Sequence, residues 1–201
     1  MSMLIVDLNT YYEEIERTLG DLKEETPKVL RSALSNTSRR VRKRVVKEAG
    51  ARYDYQDDGA WKASNSGAIK LKAKTKRDAF YTRLVSTGPM NELLDFMVAP
   101  SDYAPDHRPD AHKAKVLSAG ALKVLGERPK PFVTRFRSGH IAIVQRKGKR
   151  RLPVRSLLAP SVPSMVQNAG LRATAEELMA TELPVQIQKA IQRTLKKAGR
   201  A

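Results

Sequence analysis

The residues between Leu22 and Val45 constrain the fold more than any other part of the sequence. Apolar and small side chains recur there at steps of three and four residues, namely Leu22, Thr26, Val29, Leu30, Ala33, Leu34, Thr37, Val41 and Val45. This spacing places them along one side of an α-helix. We expect Asp21 to cap the helix, Pro27 to be tolerated near its start and Gly50 to end it. The fold must therefore contain a long amphipathic helix.

Two further helices are predicted near the ends of the chain. Residues 9–20 predict a short helix that ends at Gly20. Residues 174–197 place apolar side chains near helical spacing, namely Leu178, Met179, Leu183, Ile187, Ile191 and Leu195. Pro184 should kink or divide this last helix, because proline has no N–H to bond to the preceding turn.

The first part of the middle region combines loops with one hairpin. Residues 51–66 have no regular pattern and predict a loop anchored by Trp61. Residues 68–73 alternate apolar and lysine positions, which is the period of a strand, and residues 78–86 should pair with them. Residues 90–97 predict one or two helical turns, and the proline-containing residues 99–113 predict a surface loop.

The clearest strand pattern follows in residues 132–136 and 141–145. The four residues between them, Arg137, Ser138, Gly139 and His140, are typical of a hairpin turn. Residues 146–151 predict a second, basic turn. The chain should then continue as extended structure through residues 152–158, with Pro160 and Pro163 on either side of another extended segment.

These elements predict an α+β fold, in which a long N-terminal helix and a C-terminal helix pack on a small antiparallel β-sheet. The length of 201 residues is suited to one domain. Its parts would be a helical arm at 1–50, a β-rich core with loops at 66–160 and a C-terminal helix at 171–198.

The net charge of +17 indicates a polyanionic partner. DNA, RNA, an acidic protein or an anionic membrane would each fit, and charge alone does not select one. The absence of cysteine excludes disulfides and thiolate metal sites. No segment has the roughly 20 apolar residues that cross a bilayer, and the N-terminus does not resemble a signal peptide. We therefore expect the cytoplasm, or a particle assembled there.

Three basic clusters are candidates for contact with such a partner. They are Arg39, Arg40, Arg42, Lys43, Arg44 and Lys47; Arg146, Lys147, Lys149, Arg150 and Arg151; and Lys189, Arg193, Lys196, Lys197 and Arg200. Any one cluster by itself is best interpreted as a solvated face, but together they favour a polyanion nearby. No helix-turn-helix, zinc finger or RNP-like strand indicates sequence-specific reading.

Catalytic motifs are absent: the sequence has no phosphate-binding loop, no HExxH and no GxSxG elbow. Asp106, His107, Asp110 and His112 could together hold a divalent metal, but their spacing matches no metal motif and the adjacent prolines favour a solvated loop. His140 beside Gly139 could be a base, but a histidine at a hairpin turn is the better interpretation. We therefore expect no enzyme activity, metal or cofactor.

Residues 131–164 resemble the minor tail protein Z family of tailed phages and prophages, also called tail-completion proteins. The resemblance consists of a Ser-Gly-His turn, a strand ending in Gln-Arg, a basic turn, and then the motif residues Arg151, Leu152, Pro153, Val154, Arg155, Ala159, Pro160, Ser161, Val162 and Pro163. Ala159 stands where the family commonly has glycine, which argues against a left-handed backbone there.

The resemblance implies a structural virion protein at the head-proximal end of the tail, made in the host cytoplasm. Its partners would be the tail terminator, the tail tube and the head connector, together with further copies of itself in a ring, often six-fold. The basic clusters would contact the backbone of genomic DNA or an acidic neighbour. The alternative is a nucleic-acid-binding protein of another kind that does not read sequence. An enzyme is the third and least favoured class.

Overall fold

A computed structural model describes residues 8–56, 69–76, 79–106, 109–126 and 128–199. Its α-helices are α1 (Asn9–Leu19), α2 (Thr26–Arg52), α3 (Val162–Val166) and α4 (Ala169–Lys197). Its strands are β1 (Ile69–Lys76), β2 (Ala79–Ser86), β3 (Asn91–Glu92), β4 (Met97–Ala99), β5 (Lys113–Lys115), β6 (Lys123–Val124), β7 (Phe132–Arg135), β8 (Ile141–Arg146), β9 (Val154–Ser156) and β10 (Leu158–Ala159). The predicted α+β class is confirmed, although the described strands form several small sheets rather than one.

The chain divides into two compact units. The first contains residues 1–47, 66–87 and 166–201, and the second contains residues 48–65 and 88–165. Helix α2 passes from the first unit into the second at residue 47.

The core of the first unit lies among α1, α2 and α4. The predicted stripe of α2 is buried as expected: Val29, Leu30, Ala33, Leu34, Val41 and Val45 are each at most 6% exposed. The first four pack with buried residues of α1 and α4, including Ile15, Leu19, Leu183 and Ile187, and the last two pack with Met179 of α4. Because full burial of one such side chain contributes about 1.5–3 kcal/mol, this interface dominates the stability of the unit.

Several helix ends differ from the prediction. Gly20 ends α1 with a positive φ of 56°, as expected, but a 3₁₀ helix (Gly20–Glu25) then precedes α2. Gly50 does not end α2, because a glycine inside a helix costs only about 1 kcal/mol and the Arg52 carbonyl accepts a hydrogen bond from the Ser118 N–H at 2.9 Å.

Helix α4 begins five residues before the predicted start. The side chain of Asn168 accepts a hydrogen bond from the Gly170 N–H at 3.1 Å and so caps the helix. The helix continues through Pro184 and is not divided by it. Burial of Leu183 and Ile187 on either side of the proline offsets the one missing backbone hydrogen bond.

The predicted hairpin of the first unit is confirmed by antiparallel pairing of β1 with β2, from Ile69 opposite Ser86 to Lys76 opposite Ala79. Ile69 is buried, and its carbonyl accepts a hydrogen bond from Arg42 Nε at 2.7 Å. Residues 77–78, which come between the two strands in the sequence, lie outside the described residues. So do Trp61 and most of the predicted loop 51–66, although residues 51–52 still belong to α2.

The second unit contains short antiparallel strands in the orders β4-β5-β6, β7-β8-β9 and β10-β3. The predicted hairpin is confirmed: Phe132 lies opposite Val144, Arg135 lies opposite Ile141, and the Phe136 N–H donates to the His140 carbonyl at 2.7 Å. Gly139 adopts a φ of +86° in this turn, which glycine accommodates without strain.

Two predictions for the second unit were wrong in part. Residues 90–97 contain only a single 3₁₀ turn (Leu93–Asp95), because strand pairing takes the residues on either side of it. The segment between Pro160 and Pro163 is not extended throughout, since α3 begins at Val162. The buried Ser161 lies just before that helix, and its carbonyl accepts from the Met165 N–H at 2.9 Å.

Candidate interaction surface

The basic face of α2 is only partly available for contact with another molecule. Arg39 and Lys43 are exposed. Arg40 lies 3.2 Å from Glu182 in an ion pair within the first unit. Arg42 is half-buried and holds the start of β1 through the Ile69 carbonyl. Arg40 and Arg42 of this cluster therefore have structural partners within the first unit.

The third cluster, at the end of α4, lines a groove of about 550 Å³ beside the start of α2. Arg193 and Lys197 face this groove together with Lys28 and Glu25, which form an ion pair of 2.6 Å. Arg200 lies outside the described residues. The cluster is exposed, as predicted for a solvated face.

The second cluster occupies the turn between β8 and β9. The Lys147 N–H donates to the Pro153 carbonyl at 3.0 Å and closes the turn, which leaves Lys147, Lys149, Arg150 and Arg151 exposed. Within the part of the chain that the structure describes, none of these side chains forms an ion pair. The predicted basic turn is therefore exposed at these four cations, whereas Arg146, the fifth predicted cation, belongs to β8 and is half-buried.

This turn borders a groove that the sequence did not predict. The groove has a volume of about 740 Å³ and lies between the β7-β8-β9 sheet and parts of the segment 102–112. Strand pairing puts Phe132, Val144, Arg146 and Val154 on the same face of the sheet, and this face forms one wall. We call this site the arginine groove, since Arg135, Arg137, Arg146 and Arg151 line it.

Aromatic rings hold two of these arginines in place. The Arg135 guanidinium lies 5.3 Å from the centre of the Tyr103 ring, and the Arg146 guanidinium lies 5.8 Å from that of Phe132. These distances fit cation–π contacts, which position a guanidinium without neutralising its charge. The only carboxylate among the described lining residues is that of Asp102. The arginine groove is therefore cationic, and it also exposes apolar surface of Tyr103, Phe136 and Leu152.

His140 has an acidic partner that is distant in sequence. Its Nε2 lies 2.8 Å from Glu92 Oε1, and its ring stacks on Phe136 with the centroids 6.0 Å apart. In the described residues no hydroxyl group bonds to this imidazole, so the arrangement lacks a nucleophile. The contact joins the β7–β8 hairpin to β3, which is a structural role.

The candidate metal site does not form from the residues that the structure describes. His112 is buried, and its Nδ1 lies 2.8 Å from the Pro100 carbonyl. His107 lies outside the described residues. Among those that are described, no group of three or more possible ligands is close enough to hold a metal ion. In the same residues, no helix is long and apolar enough to cross a membrane.

The motif residues connect the β7-β8-β9 sheet to α3. Pro153 accepts the bond that closes the basic turn, and the Pro160 carbonyl accepts from Asn91 Nδ2 at 2.7 Å. Ser161 Oγ lies 3.0 Å from Ser164 Oγ, and Pro163 occupies the first turn of α3. Leu152 is 67% exposed at the edge of the arginine groove. Ala159 is buried in β10 and has no left-handed backbone, in agreement with its departure from glycine.

The described residues thus form an α+β fold with exposed cationic surfaces. The family model of prophage minor tail protein Z matches residues 26–199. The chain therefore belongs to the prophage minor tail protein Z family, which implies a location in the virion. No curated protein and no solved structure matches the chain significantly.

Proposed function

We propose that the chain completes the head-proximal end of a phage tail and enables the tail to join the filled head, as a ring around the DNA channel. Family membership supports a tail protein. The observation that carries the finer proposal is the exposed turn of Lys147, Lys149, Arg150 and Arg151. Four exposed cations on one short turn, none of which forms an ion pair with a described residue, are suited to the regularly spaced phosphates of DNA.

The charge of an assembled ring is consistent with this location. A hexamer of a chain with a net charge of +17 would carry about +100, which requires DNA, counter-ions or acidic neighbours close by. The tail terminator, tail tube and head connector are the neighbours that a protein at this position would contact. The single-domain organisation of residues 1–201 is part of the same proposal.

Deletion of the gene from the phage or prophage that encodes it tests the tail role. We expect filled heads and tail tubes of normal length to accumulate separately, while infectious particles fall by several orders of magnitude. Electron microscopy and plaque counts measure the two quantities. Tails that fail to polymerise at all would contradict a completion role.

The proposed DNA contact has its own test. Replacing Lys147, Lys149 and Arg150 by alanine should reduce the slope of log K for duplex DNA against log salt, by up to about 0.9 for each phosphate that the turn no longer neutralises. The matched control replaces Lys113, Lys123 and Lys130, which are exposed lysines of the same unit. Equal effects of the two sets would show that only net charge matters and would contradict a specific role of the turn.

A second candidate function is that of a nucleic-acid-binding protein outside the virion. The same basic turn favours it, because phosphate contacts do not depend on a tail. Light scattering and negative-stain images of the purified chain distinguish the two. Tight, salt-sensitive DNA binding by a monomer with no affinity for tail tubes would favour this candidate.

We also propose that the chain acts by assembly and not by catalysis. The contact of His140 with Glu92 and Phe136 supports a structural role for this histidine. His140→Ala should therefore affect stability, and no enzymatic activity should depend on this residue. Hydrolytic activity that His140→Ala or Asp110→Ala abolishes would contradict the proposal.

A further inference from the structure

Among its described lining residues, the arginine groove has no acidic side chain beyond Asp102. In the same described part of the chain, Arg135, Arg137, Arg146 and Arg151 form no ion pairs, and two of them lie against aromatic rings. Arginines beside exposed apolar and aromatic surface are typical of protein interfaces. The groove therefore fits a partner element that brings carboxylates together with some apolar contact.

The concave shape favours a protein element over duplex DNA. The volume of about 740 Å³ lies within the range of sites that enclose small ligands or groups of side chains. Duplex DNA presents a convex surface of phosphates, which suits the protruding turn at residues 147–151 better than a recess. The turn and the arginine groove are adjacent surfaces that can take different partners.

The chain contains a segment with the required charge. Residues 9–25 include six acidic residues, Glu13, Glu14, Glu16, Asp21, Glu24 and Glu25, but only two basic ones, Arg17 and Lys23. This acidic segment has a net charge of −4, so the remainder of the chain carries +21. The segment precedes the residues that match the family, which begin at 26.

The acidic segment is presented on a fixed support. Ile15 and Leu19 are at most 3% exposed and anchor α1 in the core of the first unit. Glu13, Glu14 and Glu24 are exposed, and none of the three forms an ion pair with another described residue. Their carboxylates can therefore contact a second molecule without first breaking an ion pair or unfolding the helix.

We infer that the acidic segment of one copy docks in the arginine groove of a second copy. The inference rests on the proposed ring, since a contact between two different surfaces of identical chains repeats around a closed ring. Copies with a net charge of +17 repel each other, and an acidic patch that meets four arginines reverses this repulsion locally. The contact should therefore weaken as salt is added.

Charge exchange in the full-length chain tests the inference by sedimentation velocity and light scattering, over a range of concentrations at low salt and without nucleic acid. Arg135→Glu with Arg137→Glu, at two groove positions outside the basic turn, should weaken self-association about 30-fold or more. Glu13→Lys with Glu14→Lys should weaken it similarly. The chain that carries all four substitutions should recover most of the association, because the two patches are again opposite in charge.

Matched controls separate a local contact from an effect of net charge. Arg128→Glu with Lys130→Glu makes the same charge change as the groove pair at exposed positions outside the groove. Asp110→Lys with Glu177→Lys makes the same charge change as the acidic pair at two exposed carboxylates. Both controls should leave the association within about threefold of the wild type, the range expected of distant surface changes.

Several results would overturn the inference. Among them are a wild-type chain that stays monomeric at low salt, a four-substitution chain that associates no better than either pair, and control variants that weaken association as much as the groove pair does. A groove pair that lowers DNA affinity more than the turn variant does would also overturn it, in favour of DNA as the occupant. A wild-type ring unaffected by these substitutions would refute this interface and leave the proposed ring intact, while the deletion phenotype tests the tail role separately.

Discussion

The two units of the chain bury and expose apolar side chains in different ways. In the first unit, three helices enclose their apolar faces, and Val185 is the one large hydrophobic side chain that is exposed among the residues described. The described part of the second unit exposes eight, namely Met90, Tyr103, Leu117, Leu122, Val124, Phe136, Leu152 and Leu158. Exposed apolar side chains beside uncompensated arginines are expected at contact surfaces. Among the described residues, the helices of the first unit thus enclose their apolar side chains, whereas most exposed ones lie in loops and strands of the second unit.

The largest expected effect comes from truncating a leucine in the helical core. Leu30 is fully buried, so Leu30→Ala should lower the free energy of unfolding by about 2–5 kcal/mol. Leu152→Ala makes the same chemical change at a side chain that is 67% exposed, and it should cost at most about 0.5 kcal/mol. Urea denaturation measures both. Equal costs would remove the distinction between the two units.

Leu30→Ala also tests the proposed single domain. Because α2 contributes residues to both units, we expect the substitution to lower protection from hydrogen exchange in β8 as well as in α4. Leu183→Ala in α4 provides a second variant of the same kind. Loss of protection confined to the helices would show that the units unfold separately.

Removal of the hydrogen bond between α2 and β1 should have the next largest effect on the free energy of unfolding. Arg42 Nε donates to the Ile69 carbonyl at 2.7 Å, and a hydrogen bond from a charged donor contributes about 1.5–3 kcal/mol. Arg42→Ala should therefore destabilise the chain by roughly this amount, again by urea denaturation. Arg39→Ala, at an exposed position three residues earlier, is the control and should change stability by less than about 0.5 kcal/mol.

The patterns of the helices and the main hairpin could be predicted from sequence because they depend on local periodicity. The stripe from Val29 to Val45 is buried as predicted, and the turn at Gly139 forms as predicted. Gly50 does not end α2 and Pro184 does not divide α4. In both places, tertiary contacts of the neighbouring residues outweigh a local penalty of one to a few kcal/mol.

The arginine groove could be predicted only in part. The basic turn at residues 147–151 is visible as a run of charge, but the groove also needs Tyr103 and Asp102, which are far away in sequence. The pairing of His140 with Glu92 spans 48 positions and carries no local signal. Contacts of this kind depend on the way in which separate strands meet, and periodicity contains no information about that.

A smaller effect of opposite sign is expected at Thr37. Its hydroxyl is fully buried and has no hydrogen-bond partner among the described residues. Thr37→Val replaces an unsatisfied hydroxyl by a methyl group, so it should raise the free energy of unfolding by about 1 kcal/mol. Thr181→Val is the control, because Thr181 is exposed and its hydroxyl donates to the Glu177 carbonyl. A loss of stability in Thr37→Val would indicate that this hydroxyl has a partner after all.

The smallest effect concerns the pH dependence of the first unit. Partial burial, and after it the nearby Glu16 carboxylate, raises the pKa of Tyr12 above its usual value. The neutral phenol is thus favoured by folding, so its contribution is complete below the pKa of the unfolded chain and is lost as the pH rises through the higher folded pKa. Tyr12→Phe should reduce the decline in melting temperature at alkaline pH and leave neutral pH almost unchanged. If Tyr12→Phe leaves the decline in melting temperature at alkaline pH unchanged, that result would contradict a raised pKa of Tyr12.

An image of the assembled neck by electron cryomicroscopy would show where the protein lies in the virion. We expect several copies in a ring at the head-proximal end of the tail, with the basic turn at residues 147–151 towards the DNA channel. Copies distributed along the tail tube or located at its distal tip would contradict it.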